Sequence, residues 1–220
     1  MKRGSGSSKR PERGRRNAAG PPNRHERRRA ANAERILGAA ASLFAAAGHA
    51  DVTMDAVAEA ADVSRATLFN HFAGKRDMLA AHHRRLFAAF TAAADEVERG
   101  APRDRDPLAR LLTMFAAAEK VLSAERALVR VLYAAVVTDD AMLAVDEEIG
   151  AVFAARIVAV LDQGRRASAL RKDLDVRLAA RIVVDLWTTT LRDWARREGG
   201  LQLRTEVGRK LEMVFRGFRR

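Results

Sequence analysis

The sequence predicts an all-α fold of about nine helices, with a small N-terminal module followed by a larger C-terminal helical domain. Three observations carry this prediction. Ala, Leu, Arg and Glu are plentiful, whereas runs of strand formers are sparse. Apolar residues recur at three- and four-residue spacings through most of the chain. Capping residues precede these stripes, and Gly or Pro closes several of them. With 220 residues and 48% hydrophobic content, the chain can bury one large core or two smaller ones.

Composition removes several function classes. There are no cysteines, which excludes disulfides and thiolate metal sites and fits a reducing interior. No apolar run approaches the ~20 residues a membrane span needs, and the N-terminus lacks a signal peptide's apolar core. A cytoplasmic protein without a membrane partner is expected. The net charge of +12 is spread unevenly. Residues 1–31 hold 11 Lys/Arg against Glu12 and Glu26, a balance of +9. Residues 32–100 balance at −2 and residues 101–220 at +5. Attraction for a polyanion therefore resides mainly in the N-terminal tail.

Residues 1–22 are Gly, Ser, Pro and Arg with almost nothing apolar, so a disordered basic arm is predicted there. Asn23 and Glu26 have capping-box spacing. The helix they open carries Ile36, Leu37, Ala40, Leu43, Phe44 and Ala47 on one face, and Gly48 ends it. Thr53 caps a short helix, Met54 to Ala60, with Val57 and Ala58 inward. A turn, Ala61-Asp62-Val63, leads to Ser64, which caps a second short helix. Leu68 points back to the core, leaving Arg65, Ala66, Thr67, Asn70 and His71 outward. This spacing is that of a helix-turn-helix.

Phe72 closes the small core, and Gly74 precedes a helix from Lys75 to about Glu98, with Met78, Leu79, His82, Leu86 and Phe90 or Phe87 inward. Gly100 and Pro102 stop it. Asp106 caps the next helix, with Pro107 in its first position. Five helices follow, over 107–122, 124–137, 140–163, 175–198 and 202–218. Breaks are predicted at Ser123, at Thr138-Asp139, from Gly164 to Asp173, and at Gly199-Gly200. The apolar face over 178–194 (Leu178, Ala179, Ile182, Val183, Leu186, Trp187, Thr190, Leu191, Trp194) is wider than one neighbouring helix would cover. It predicts association between two chains through Leu186, Leu191, Trp194, Leu211 and Phe215. The alternative is a stripe wholly buried within one chain. The domains are thus the arm (1–22), a helix-turn-helix module (23–80) and a helical domain (81–220).

Residues 34–79, ERILGAAASLFAAAGHADVTMDAVAEAADVSRATLFNHFAGKRDML, resemble the TetR family of transcriptional regulators. The anchors are Ile36-Leu37, Leu43-Phe44, Gly48, Thr53, Val57-Ala58, Ala61, Val63-Ser64, Thr67-Leu68, His71-Phe72 and Lys75. The resemblance implies a homodimer on a palindromic double-stranded DNA operator, with a C-terminal effector pocket and a four-helix dimer interface. It places Arg65, Thr67 and Asn70 at base edges or phosphates, with Ser64 and Ala66 on the same outer face, and Thr53, His71 and Lys75 on the DNA backbone. Thr53 and Lys75 also sit at helix N-termini, where free N–H groups favour an anion. Three features depart from the family pattern. Asp62 replaces a usual Gly in the turn, Phe69 replaces a usual Tyr and lacks its phosphate-binding hydroxyl, and the N-terminus is extended.

For an effector pocket the sequence offers Phe90, Met114, Phe115, Glu119, Tyr133, Phe153 and Trp187, with plain core as the alternative for each. Glu119 lies on the stripe of Leu108, Leu112, Phe115 and Leu122. It is either a boundary acid paired with an Arg or a counter-charge for a cationic effector. Asp185 can pair with Arg181 at i−4. Adjacent His82 and His83 diverge on a helix, so no metal is expected, and no cofactor is expected either. No Ser-His-Asp order, phosphate loop or carboxylate pair is convincing, which argues against an enzyme. The reading is a dimeric DNA-binding regulator, most simply a repressor released by a small apolar or amphipathic effector. The alternatives are a regulator whose C-terminal helices only dimerise, and an enzyme on a helical bundle. If the arm supplies affinity that the acidic module lacks, deleting residues 1–22 weakens operator binding and flattens the slope of log K against log salt. A salt titration of both forms checks this, and an unchanged slope contradicts it.

Overall fold

A computed structural model describes residues 23–100, 106–197 and 202–219. The predicted disordered arm and the Gly199-Gly200 break lie outside the described residues. Nine α-helices and no strand are found among those described. They are α1 (Arg24–Ala47), α2 (Met54–Ala60), α3 (Arg65–His71), α4 (Lys75–Arg99), α5 (Pro107–Ala124), α6 (Arg126–Thr138), α7 (Asp140–Arg166), α8 (Val176–Arg196) and α9 (Leu203–Phe218).

Local chemistry sets most helix ends. Asn23 and Glu26 form the full capping box, each side chain bonded to the other residue's backbone N–H at 2.9 and 2.7 Å. Thr53, Ser64 and Asp106 accept from backbone N–H groups three residues on, each such cap being worth about 1 kcal/mol. Gly48 leaves α1 at φ +83°, a region most side chains avoid. Two predicted breaks are displaced. Ser123 lies inside α5, and the chain turns instead at Glu125, shared by the ends of α5 and α6. Gly164 does not end α7, which runs on to Arg166.

The helix-turn-helix module packs α1 against α2 and α4 around Ile36, Phe44, Val57, Leu68, Met78 and Leu79, each at most 1% exposed. Ala47, expected on the α1 stripe, is exposed because the helix is already ending there. The first eight residues of α1 carry Arg24, Arg27, Arg28 and Arg29 and are all exposed, so about 12 Å of basic helix precedes the buried part of α1. Helix α4 then leaves the module and packs along α5 and α7, with Leu86, Phe90 and Ala94 buried. Helices α5 to α9 complete the second core.

Gly164 explains why α5 and α7 approach so closely. A Cβ there would lie 2.2 Å from Pro107 Cγ, at the start of α5, and 3.3 Å from Leu170 Cδ1. Alanine would raise helix propensity by about 1 kcal/mol, but the overlap costs about 1–3 kcal/mol. Gly164→Ala should therefore lower stability despite the better helix former, and urea denaturation monitored by circular dichroism measures the sign.

Candidate DNA-recognition helix and effector cavity

The turn between α2 and α3 is a tight corner. Val63 N–H donates to Ala58 C=O at 3.0 Å, and Asp62 takes φ +50°. That left-handed conformation is where the sequence departed from glycine, and Asp tolerates it better than most side chains. Its carboxylate lies 3.7 Å from Arg35 of α1, in an exposed and therefore weak ion pair. Ala61 and Leu68 are buried on either side of the corner, which holds α3 at a set angle to α2.

The outer face of α3 presents Arg65, Ala66 and Asn70, with Phe69 also 42% exposed. Arg65 is held within the protein. It bonds Asp55 of α2 at 3.1 Å and lies over the Phe69 ring at 5.6 Å. The aromatic ring that lacks a phosphate-binding hydroxyl thus supports the guanidinium instead. The hydroxyls of Ser64 and Thr67 bond each other at 2.8 Å, and His71 is half-buried beside Phe72. Thr53 serves as the α2 cap. Lys75, expected on the DNA backbone, has partners within the free chain. Its ammonium group donates to His49 C=O and Ala50 C=O at 2.8 and 2.9 Å, closing the turn after α1.

A second feature is a cavity of about 600 Å³ among α4, α6, α7 and α8. Phe87, Phe90, Phe153 and Trp187 give it an aromatic wall, with Phe90 and Phe153 edge to face at 5.1 Å. Tyr133 also lines it. Of the sequence-predicted lining, Phe90, Tyr133, Phe153 and Trp187 meet here, while Met114, Phe115 and Glu119 do not. Phe115 stacks on Trp187 at 4.5 Å and 14° from behind the wall, and Met114 is plain core. Glu119 points away to α9, where it accepts from Arg204 N–H at 3.3 Å. It caps a helix that lacks a side-chain cap of its own, rather than pairing with a guanidinium.

One end of the cavity is polar. His83 Nε2 lies 3.4 Å from Asp146 Oδ1, and the His83 ring meets Tyr133 edge-on at 6.1 Å. Burial pulls the His83 pKa down to about 4, helped by Arg84 and His82. Burial pushes that of Asp146 up, with Glu147 adding to it, and burial likewise keeps the Tyr133 phenol protonated. Sequence reasoning missed His83 and Asp146, because neither lies on a helical stripe of one residue class. Asp185 and Arg181 both line the mouth, but no ion pair joins them among the described residues. His82 is buried and bonds Glu125 at the α5–α6 corner at 2.6 Å. A further hollow of about 620 Å³ separates the end of α1 from α6 and α7. There, Arg76 of α4 bonds Asp139 at 2.7 Å, and Asp139 also caps α7.

The predicted dimer set needs correction. Leu191, Trp194, Leu211 and Phe215 are at most 4% exposed within the single chain, because α8 and α9 pack their strongest stripes against α5, α6 and α7. Leu186 is half-buried. The apolar residues these helices leave in solvent are Leu178 (58%), Ile182 (39%) and Met213 (74%).

Two capped seven-residue helices across a left-handed turn, the second with its outer face open, define a helix-turn-helix DNA-binding protein. Residues 36–82 match the family model described as bacterial regulatory proteins, tetR family, so the module they form is a helix-turn-helix of the TetR type. The chain is similar to the HTH-type transcriptional repressor KstR of Mycolicibacterium smegmatis, at 27% identity, covering 83% of this chain and 84% of that protein. Its fold is similar to Thermus thermophilus FadR, a TetR-family repressor solved with lauroyl-CoA. There the TM-score is 0.67 and the identity 25%, over 84% of this chain and 94% of that one. It also resembles the ketosteroid regulator KstR2 of Mycobacterium tuberculosis in fold, with a TM-score of 0.58, 24% identity and coverages of 86% and 95%. No described helix is long and apolar enough to cross a membrane.

Three histidines at least partly shielded by the fold set an acid limit on stability. His49, His82 and His83 all have folded pKa values below 6.5, so the unfolded chain takes up protons first as the pH drops. Their contribution is complete above pH 6.5 and is lost as the pH falls below it, in the case of His83 down to about 4. Asp146 acts with the opposite sign just above pH 3.8. For His83 alone, the span from 6.5 to about 4 is worth on the order of 3 kcal/mol. Urea midpoints should fall from pH 7 to pH 5 in the native protein, and less steeply in His83→Gln.

Proposed function

We propose that the protein is a homodimeric transcriptional repressor whose hold on a palindromic operator is released by a small, largely apolar effector bound in the cavity among α4, α6, α7 and α8. The observation that carries this reading is the cavity itself. At about 600 Å³ it lies within the range of small-molecule sites, and a domain serving only for dimerisation has no need of such a space. The similarity to KstR and FadR supports repression, and the lauroyl-CoA in FadR supports a ligand held by this fold. The route from cavity to DNA module is short. Helix α7 lines the cavity through Asp146, Gly150 and Phe153, and at its start Asp139 holds Arg76, next to Lys75 at the head of α4.

Base reading falls to Arg65, Thr67 and Asn70, with Ser64 and Ala66 close to the groove floor. In the complex Arg65 exchanges Asp55 for a base edge or phosphate, since the exposed pair holds it only weakly. Thr53 and His71 flank the docked backbone, while Lys75 acts chiefly by keeping the α1 turn in shape. The exposed arginines of α1 continue the basic arm and supply charge that the module lacks. Leu178, Ile182 and Met213 on α8 and α9 form the apolar centre of the dimer face, and Leu186 lies at its border.

Selection from a random duplex library tests the assignment. The expected product is an inverted repeat with half-sites about one or two helical turns apart, bound by two or more chains per duplex in sedimentation. Recovery of no inverted repeat overturns the dimeric reading. Arg65→Ala should weaken binding to the selected site by about 1–3 kcal/mol, with little change on unrelated DNA.

A further inference from the structure

The cavity pairs an aromatic wall with a carboxylate that no cation among the described residues neutralises. Asp146 projects from α7 with only 21% of its side chain exposed, and its one close partner is His83. That histidine is 7% exposed, stays neutral at physiological pH, and keeps its buried Nδ1 without a partner. It can lend Asp146 a weak hydrogen bond and no charge. Every charged group near this end leaves the deficit in place. Arg84 of α4 is paired with Glu148 at 2.9 Å. Glu147 adds negative charge beside Asp146. Arg192 acts on Tyr133 from α8 and does not line the space. Around the cavity there are three carboxylates, Asp146, Glu147 and Asp185, against the single guanidinium of Arg181 at the exposed mouth.

A buried carboxylate without a counter-charge is costly, and a bound cation removes that cost. The faces of Phe87, Phe90, Phe153 and Trp187 attract the same cation and accept an apolar body. A polyanion gains nothing from this lining and meets three like charges. We propose that the effector class is an amphipathic organic cation, its ammonium group at Asp146 beside His83 and Tyr133, and its apolar part against Phe90, Phe153 and Trp187. This rests on the cavity's being the effector site and names the class of molecule it takes. It also separates this chain from the FadR structure, whose ligand is an acyl-CoA.

The test uses the full-length protein with ligands of one chain length: decylammonium, decanol and decanoate, with lauroyl-CoA as a fourth probe. Affinity is read by calorimetry and by quenching of tryptophan fluorescence, since Trp187 lines the cavity. Decylammonium should bind at least ten-fold more tightly than decanoate. Asp146→Asn, which keeps the shape, should weaken decylammonium ten-fold or more and leave decanol within about three-fold. The decanol measurement shows that the variant still has its cavity. Decanoate or lauroyl-CoA binding as tightly as decylammonium overturns the cationic class while leaving the cavity an effector site. An unchanged decylammonium affinity in Asp146→Asn overturns the role of Asp146. If no probe binds and the fluorescence is unmoved, the effector reading of the cavity falls together with the proposal.

Discussion

Helix α4 is a single 25-residue element, about 37 Å long, whose buried face belongs to two cores in succession. Met78 and Leu79 close the helix-turn-helix module, and Leu86, Phe90 and Ala94 enter the C-terminal bundle. No glycine or proline interrupts it, so a tilt at one end is a tilt at the other. Phe90 meets Phe153 and Trp187 in the cavity wall, while Lys75 clamps the turn after α1. The placement of the DNA-facing helix and the filling of the cavity are therefore linked by a rigid body.

Polar links add to the apolar packing across that junction. Arg76–Asp139 and His82–Glu125 join α4 to the corners of the bundle, and α1 packs on α6 beside a hollow of about 620 Å³. Asp139 has two tasks, since it caps α7 with its own side chain while holding Arg76. A shift of α7 toward or away from the cavity thus loads the α4 contact directly. Joints of this kind can take up two arrangements more cheaply than a close-packed apolar seam can.

At the DNA-facing surface the module holds its own basic group in check. Arg65 lies between Asp55 and the Phe69 ring, and residues 32–100 around it balance at −2. Shape comes from the capped helices and the Asp62 corner, whereas the nearest concentration of positive charge is the basic segment at the start of α1. This division of labour follows from where the arginines sit. Base contacts need a fixed geometry, and phosphate attraction does not.

Much of the module was legible in the sequence because its determinants are local. Thr53, Ser64, Asn23 and Asp106 lie within a turn of the N–H groups they cap, and the stripes around Ile36, Leu68 and Met78 need only a helical period. The helix-turn-helix bounds and the αL strain at Asp62 could be read from single residues. The tertiary structure alone decided what depends on partners distant in sequence. Gly164 looked like a helix break until Pro107 proved to lie against it. The ammonium group of Lys75 donates to the carbonyls of His49 and Ala50, partners 26 and 25 residues away that no local pattern reveals. Glu119 turned to α9 rather than the cavity, and the strongest stripes of α8 and α9 turned inward. A sequence states which residues are apolar or charged and with what period, so it determines helices and their caps. Which face meets which neighbour, and which carboxylate is left without a counter-charge as Asp146 is, depends on contacts 60 or more residues apart, such as His83 with Asp146.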